Sequence, residues 1–183
     1  MLLVEPATRA RPASHPLLQT LVRTARLATD ARIVQITRFD RPSGLIESLA
    51  WSGFRGSLPE AAIRVVRKLF PDFDPYHVRP RVDINRWNVQ VYLHGQPVLA
   101  PFDEVAFGAV DHKILAVAMA VGKIRRSYLH PLRVGGEIFG AFGFHAQQID
   151  DDQQRLMDGF VEIAEELLAV LEPQADACTA GTR

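Results

Sequence analysis

The chain has 183 residues, of which 48% are hydrophobic, enough for one domain with a proper core. Lys plus Arg and Asp plus Glu number 21 each, so net charge gives no electrostatic reason to expect nucleic acid as a partner. The single cysteine excludes an internal disulfide and is compatible with a reducing cytoplasm, and no apolar run approaches the roughly 18 residues that span a membrane.

Residues 1–13 hold too short an apolar stretch for a secretory signal, broken by Glu5 and Pro6, and read as a tail or the end of a linker. A first helix is expected from Pro16, capped by Ser14 or His15, with Leu17, Leu18, Leu21, Val22, Ala25 and Ala28 on one stripe and Asp30 at its end. Residues 32–39 and 45–51 read as two strands joined by the turn sequence DRPSG at 40–44. Ser57 and Glu60 have the spacing of a capping box opening a second helix to about Leu69. Arg64, Arg67 and Lys68 share one face of it, the ordinary pattern of a solvated surface.

Between residues 76 and 101 the pattern weakens. Residues 81–86 suggest a strand, 88–93 fit either a strand or a short helix closed by Gly95, and 98–100 make a short strand. Residues 111–121 read as a helix capped by Asp111, with Gly122 after its last turn.

Gly135-Gly136 between two alternating segments predicts a tight hairpin needing positive φ. With those two residues as the loop, Val134 pairs with Glu137, Leu129 with Phe142 and Arg126 with His145. One face then carries Ser127, Leu129, Pro131, Ile138, Gly140, Phe142 and Phe144, an apolar set suited to the core. The other carries Arg126, Tyr128, His130, Leu132, Phe139, Ala141, Gly143 and His145. Long polar groups there stand opposite small residues, which suits a ligand pocket and a solvent-facing sheet equally.

The closing helix opens at Asp150, with Gln153 completing a capping box and three aspartates at the positive end of the helix dipole. Further oxygen ligands at calcium-loop spacing are missing. Leu156, Phe160, Ile163, Ala164, Leu167 and Leu171 form the expected buried stripe. Met157, Val161 and Leu168 widen it, predicting a homodimer through the terminal helices. Pro173 is expected to stop the helix, leaving 173–183 as a tail in which Cys178 is chemically idle. Strands followed by separate helices, without βαβ alternation, argue for an antiparallel α+β domain over 14–172, its terminal helices packed on one sheet face.

From Pro16 to Leu171 the chain resembles a GAF domain. The resemblance rests on the helix-hairpin opening, HGQPVLAPFDEV at 94–105, YLHPLRVGGEIFGAFGF at 128–144 and the capped closing helix. It implies a five- or six-stranded antiparallel sheet with the terminal helices on one face and a ligand pocket on the other. It also implies a sensory or regulatory module without catalysis of its own, signalling through dimerisation; an output domain, if any, is expected on a separate protein or outside this stretch of chain. The polar hairpin face then looks into the pocket. Arg126, Tyr128, His130 and His145 become the expected ligand contacts, with Trp87 and Phe107, beside Trp51 and Phe102, lining or plugging the space. A modest anionic or hydrogen-bonding organic ligand is expected, with Arg126 as charge partner.

Other activities of such domains fit these residues less well. Bilin attachment needs a cysteine near the pocket, and Cys178 lies beyond the closing helix. Free methionine sulfoxide reductases use several cysteines. Phe102-Asp103-Glu104 is a fragment of the cyclic-nucleotide signature without its Asn-Lys part. His77, His94, His112, His130 and His145 offer imidazoles for haem, though in no specific motif. Zinc-ligand spacing, a nucleophile elbow, a Walker loop and a dinucleotide fingerprint are all lacking. The expectation is a cytoplasmic module with no catalytic or metal-binding residue and an unidentified ligand. A self-filled interaction module is the alternative, and a haem sensor comes third.

Overall fold

The computed structural model describes residues 15–53, Lys68 and 78–180, with the backbone alone at Ala118 and 173–180. The N-terminal tail and, but for Lys68, the helix expected from Ser57 to about Leu69 lie outside the described residues. Helix α1 (Pro16–Ala28) starts as proline chemistry dictates, with the His15 ring accepting the Leu17 N–H at 3.3 Å. Leu18, Leu21, Val22 and Ala25 are buried, while Leu17 stays exposed. The end is fixed by Thr29, whose N–H and hydroxyl both donate to the Ala25 carbonyl.

Strands β1 (Ile33–Asp40) and β2 (Leu45–Gly53) form the first hairpin, and β4 (Arg126–Val134) and β5 (Glu137–Ala146) the second. With β3 (Val98–Pro101) they make a five-stranded antiparallel sheet in the order β2-β1-β5-β4-β3. One face packs against α1 and α5 (Asp151–Ala180) through Val34, Ile36, Ala50, Tyr128, Leu132, Phe142 and Phe144. The described chain from residue 78 to β4 covers the other. It comprises a 3₁₀ turn (Val82–Ile84), α2 (Arg86–Asn88), a π-helical turn (Val89–Leu93), β3, α3 (Phe102–Ala106) and α4 (His112–Gly122).

The strand expected over 81–86 is this 3₁₀ turn. Asn85 accounts for the difference: its side chain accepts the Asn88 N–H at 2.9 Å and donates to the carbonyls of Val105 and Phe107. A short amide that bonds local backbone favours a cap over a ladder. Residues 88–93 resolve to the helical alternative, with Gly95 at φ +63 behind them. At the end of α4, Gly122 is still helical and the left-handed position falls on Lys123.

The second hairpin turns at Gly135 and Gly136 as expected, with φ of +59 and +83. Its register corrects the pairing read from the sequence. Val134 faces Glu137 and Arg133 faces Ile138, but Leu132 then faces Gly140, leaving Phe139 as a bulge. Beyond the bulge every partner is displaced by one residue. Tyr128 faces Phe144, Ser127 faces His145 and Arg126 faces Ala146. A one-residue slip inverts a strand's faces, so Tyr128 and Leu132 belong to the helix-side core and Leu129 to the opposite side. For β5 the expected faces hold from Gly140 to His145, but Phe139, expected on the cavity face, is carried to the helix side by the bulge. A matching bulge at Leu49 shifts β1 against β2, and both bulged residues pack toward the terminal helices.

On α5, the Asp150 carboxylate accepts the Gln153 N–H at 2.8 Å and the Gln153 side chain accepts the Asp150 N–H at 3.1 Å, a closed capping box. Met157, Val161, Ala164 and Leu168 are buried in this chain's own core, so they are not a surplus stripe. Pro173 does not end the helix, which runs on to Ala180; a proline deletes one N–H bond, and turns on both sides continue the backbone path.

Candidate functional site

A cavity of about 120 Å³ lies between the sheet face opposite α1 and α5 and the segment that crosses it. The sheet supplies Gln35 and Thr37 from β1, Ile46, Ser48 and Trp51 from β2, Leu129 from β4 and His145 from β5. The crossing segment supplies Asn88, Tyr92, Phe102, Val105 and Val110, with Val78 and Pro80 at one side. Gln35 and Thr37 reach it because they alternate with Val34 and Ile36, which point into the helix-side core. Asn88 and Tyr92 are four residues apart where α2 passes into the π turn, which sets both on the cavity side. Among the described lining residues there is no Asp, Glu, Lys or Arg.

Two polar rows cross the sheet. In the first, the Tyr92 and Thr37 hydroxyls are 2.7 Å apart, and Thr37 Oγ1 donates to the Ala141 carbonyl at 3.1 Å. The single threonine proton being spent on that carbonyl, Tyr92 is the donor to Thr37. Burial pushes the Tyr92 phenol up to about 12. In the second row, Gln35 Nε2 is 3.3 Å from His145 Nε2, and Ser127 Oγ is 2.8 Å from His145 Nδ1. A glutamine N–H at Nε2 requires that nitrogen to accept, so Nδ1 carries the proton and donates to Ser127. Burial lowers the His145 pKa to about 4, which keeps the ring neutral. The Phe102 ring meets it edge-on at 5.2 Å between centroids.

Of the six expected contacts, the cavity brings in His145 alone. Tyr128 lies on the other sheet face, its hydroxyl donating to Asp158 of α5 at 2.5 Å. Burial, then this carboxylate, raises its pKa well above the usual phenol range. The His130 ring packs edge-on against Tyr128 at 6.0 Å and bonds the Pro131 carbonyl at 2.8 Å. Arg126 is half-buried, opposite Ala146 and Pro101, and is not a lining residue. The Trp87 indole donates to Glu104 at 3.1 Å beneath the Arg86 guanidinium, and Phe107 is 68% exposed. Trp51 and Phe102 do line the cavity. The residues the sequence reading missed are Gln35, Thr37, Ser48, Asn88 and Tyr92. The signal for the first two was present, as polar residues alternating with Val and Ile in a central strand.

No family model and no curated protein sequence matches the chain. Solved structures do. The chain is similar to a GAF domain/HD domain protein from Geobacter sulfurreducens, at 13% identity and a TM-score of 0.61, covering 88% of this chain and 95% of that one. It is similar to the phycocyanobilin-bound GAF domain of a cyanobacterial phytochrome, at 16% identity and a TM-score of 0.55, covering 84% and 82%. It is also similar to a type II free methionine-R-sulfoxide reductase from Thermoplasma acidophilum, at 10% identity and a TM-score of 0.54, covering 83% and 89%. None of the described helices is long and apolar enough to cross a membrane. With its open antiparallel sheet, helices on one face and cavity on the other, this chain has the GAF-domain fold.

Proposed function

We propose that this protein is a non-catalytic sensory domain of the cytoplasm that binds a small molecule in the cavity and reports its occupancy through the closing helix. The carrying observation is the cavity itself, walled by two polar rows and apolar side chains in the proportion that small-molecule sites use. The GAF-domain neighbour with bound phycocyanobilin supports a ligand on this fold. A space of about 120 Å³ is far short of a tetrapyrrole, which argues against bilin and haem here. Among the described residues the Ser and His side chains that bond each other are Ser127 and His145, and Ser127 is fully buried with its hydroxyl taken by the ring. That pair holds the sheet together and carries no reaction.

The pattern along α5 supports association of two copies as part of this reading. Leu156, Phe160, Ile163, Leu167 and Val170 recur at alternating spacings of four and three, a coiled-coil seam, and Leu156, Ile163 and Val170 are exposed. A second copy of the same seam covers it without any new chemistry. This replaces Met157, Val161 and Leu168 as the dimer stripe, and a separate output protein would read the helix pair. Native mass spectrometry and a saturation-transfer NMR screen of one-ring fragments test the ligand reading. Fragment contacts abolished by Val105→Trp in folded protein support it; no co-purified molecule and no fragment contact overturn it.

A further inference from the structure

The hydrogen bonds around the cavity leave a remainder. Thr37, Tyr92 and His145 bond one another or nearby groups, and Gln35 is engaged through its Nε2. The Asn88 side-chain amide and the Ser48 hydroxyl do not: both residues are more than nine-tenths buried, both line the cavity, and neither side chain has a hydrogen-bond partner among the described residues. Among the described residues no fully buried side-chain N or O lacks a partner, so these two polar groups open onto the cavity itself, where their bonds remain to be made. Two such groups on one small space therefore point to bonds made with something that enters it.

The surroundings narrow what enters. The described lining residues hold no ionised side chain, so among them a charged guest would leave water and find no counter-charge, a penalty that dipoles alone repay poorly. Volume sets the size. About 120 Å³ is near the roughly 150 Å³ that encloses a benzene ring, and because the cavity is open at one side a single ring carrying one small substituent is the largest guest it suits. Phe102, Trp51 and Leu129 offer apolar walls for a ring. An asparagine amide presents a donor and an acceptor side by side in one plane, complementary to the C=O/N–H edge of another amide.

Resting on the ligand reading of this cavity, we propose that its occupant is an uncharged molecule of single-ring size with a carboxamide or lactam edge, paired to Asn88 with Ser48 as a third contact.

Three probes of nearly one shape decide the matter: benzamide, benzoate and benzamidinium, titrated by calorimetry or ligand-observed NMR near pH 7. The expected result is benzamide bound at least tenfold more tightly than either ion. Benzoate or benzamidinium bound as tightly as benzamide overturns the proposal while leaving the ligand reading intact. Failure of all three also overturns it, and the one-ring fragment screen then judges the ligand reading separately. Asn88→Asp supplies a second arm, expected to shift the preference to benzamidinium by tenfold or more. A folded Asn88→Asp protein that keeps the benzamide preference removes Asn88 from the site. The wild-type comparison stands by itself should that variant not fold.

Discussion

Gly140 shows how closely single residues set this architecture. A Cβ built there would lie 1.9 Å from the Thr37 carbonyl oxygen, which belongs to the neighbouring strand and has no room to retreat. Gly140→Ala should therefore cost about 3 kcal/mol or more, at the high end of single substitutions, as read by urea denaturation. Gly135→Ala meets open space and pays only for its φ of +59, about 1 kcal/mol. A Gly140→Ala protein as stable as wild type would mean that β1 and β5 do not meet there. His145 gives a second prediction, in pH. Its folded pKa of about 4 lies below the ordinary 6.5, so the unfolded chain binds the extra proton between those values. The His145 contribution is complete above pH 6.5 and is lost as pH falls toward 4, by about 3 kcal/mol. His145→Gln should flatten the stability profile between pH 6.5 and 4; an unaltered slope would assign it to the carboxylates instead.

Elements show which signals a sequence carries and which it hides. The Gly135-Gly136 turn, the Asp150 capping box and the Pro16 helix start were legible because each depends on a few adjacent residues with special backbone or side-chain chemistry. The bulge at Phe139 was not. An apolar residue in a strand looks the same whether paired or extruded, and the slip it causes moved Tyr128 off the cavity face. Helix α5 misled in another way. Apolar residues occupy two adjoining stripes, and periodicity cannot say which one meets the sheet. Burial decides for Met157, Val161, Ala164 and Leu168, leaving Ile163 half exposed on the seam. The two stripes predict opposite outcomes. Ile163→Glu should yield a folded monomer in sedimentation at micromolar concentration. Val161→Glu should unfold the domain, since it buries a charge without a partner. An unchanged dimer in Ile163→Glu would place the interface elsewhere.

At the scale of the whole molecule, β4 is the element that faces both the cavity and α5. Leu129 lines the cavity and Ser127 holds His145. On the reverse side Tyr128 bonds Asp158, and at the bulge the Arg133 N–H, freed from the ladder, donates to Glu165 at 2.8 Å. Both acceptors belong to α5, which also carries the seam. A guest that shifts β4 by a few tenths of an ångström is thus felt by α5 through two charge-assisted bonds, without passing through the loops. Linkage makes this testable without any output protein. If occupancy changes how tightly two copies associate, association must change ligand affinity by the same factor. Benzamide affinity should accordingly differ by about fivefold or more between wild type well above its dimer dissociation constant and the Ile163→Glu monomer. Tyr128→Phe, which cuts one of the two bonds on the far side of the sheet from the cavity, should shrink that difference while leaving the monomer's own affinity in place. Equal affinities in wild-type dimer and Ile163→Glu monomer would show that the cavity and the seam act independently, and that the bonds from β4 to α5 only hold the fold together.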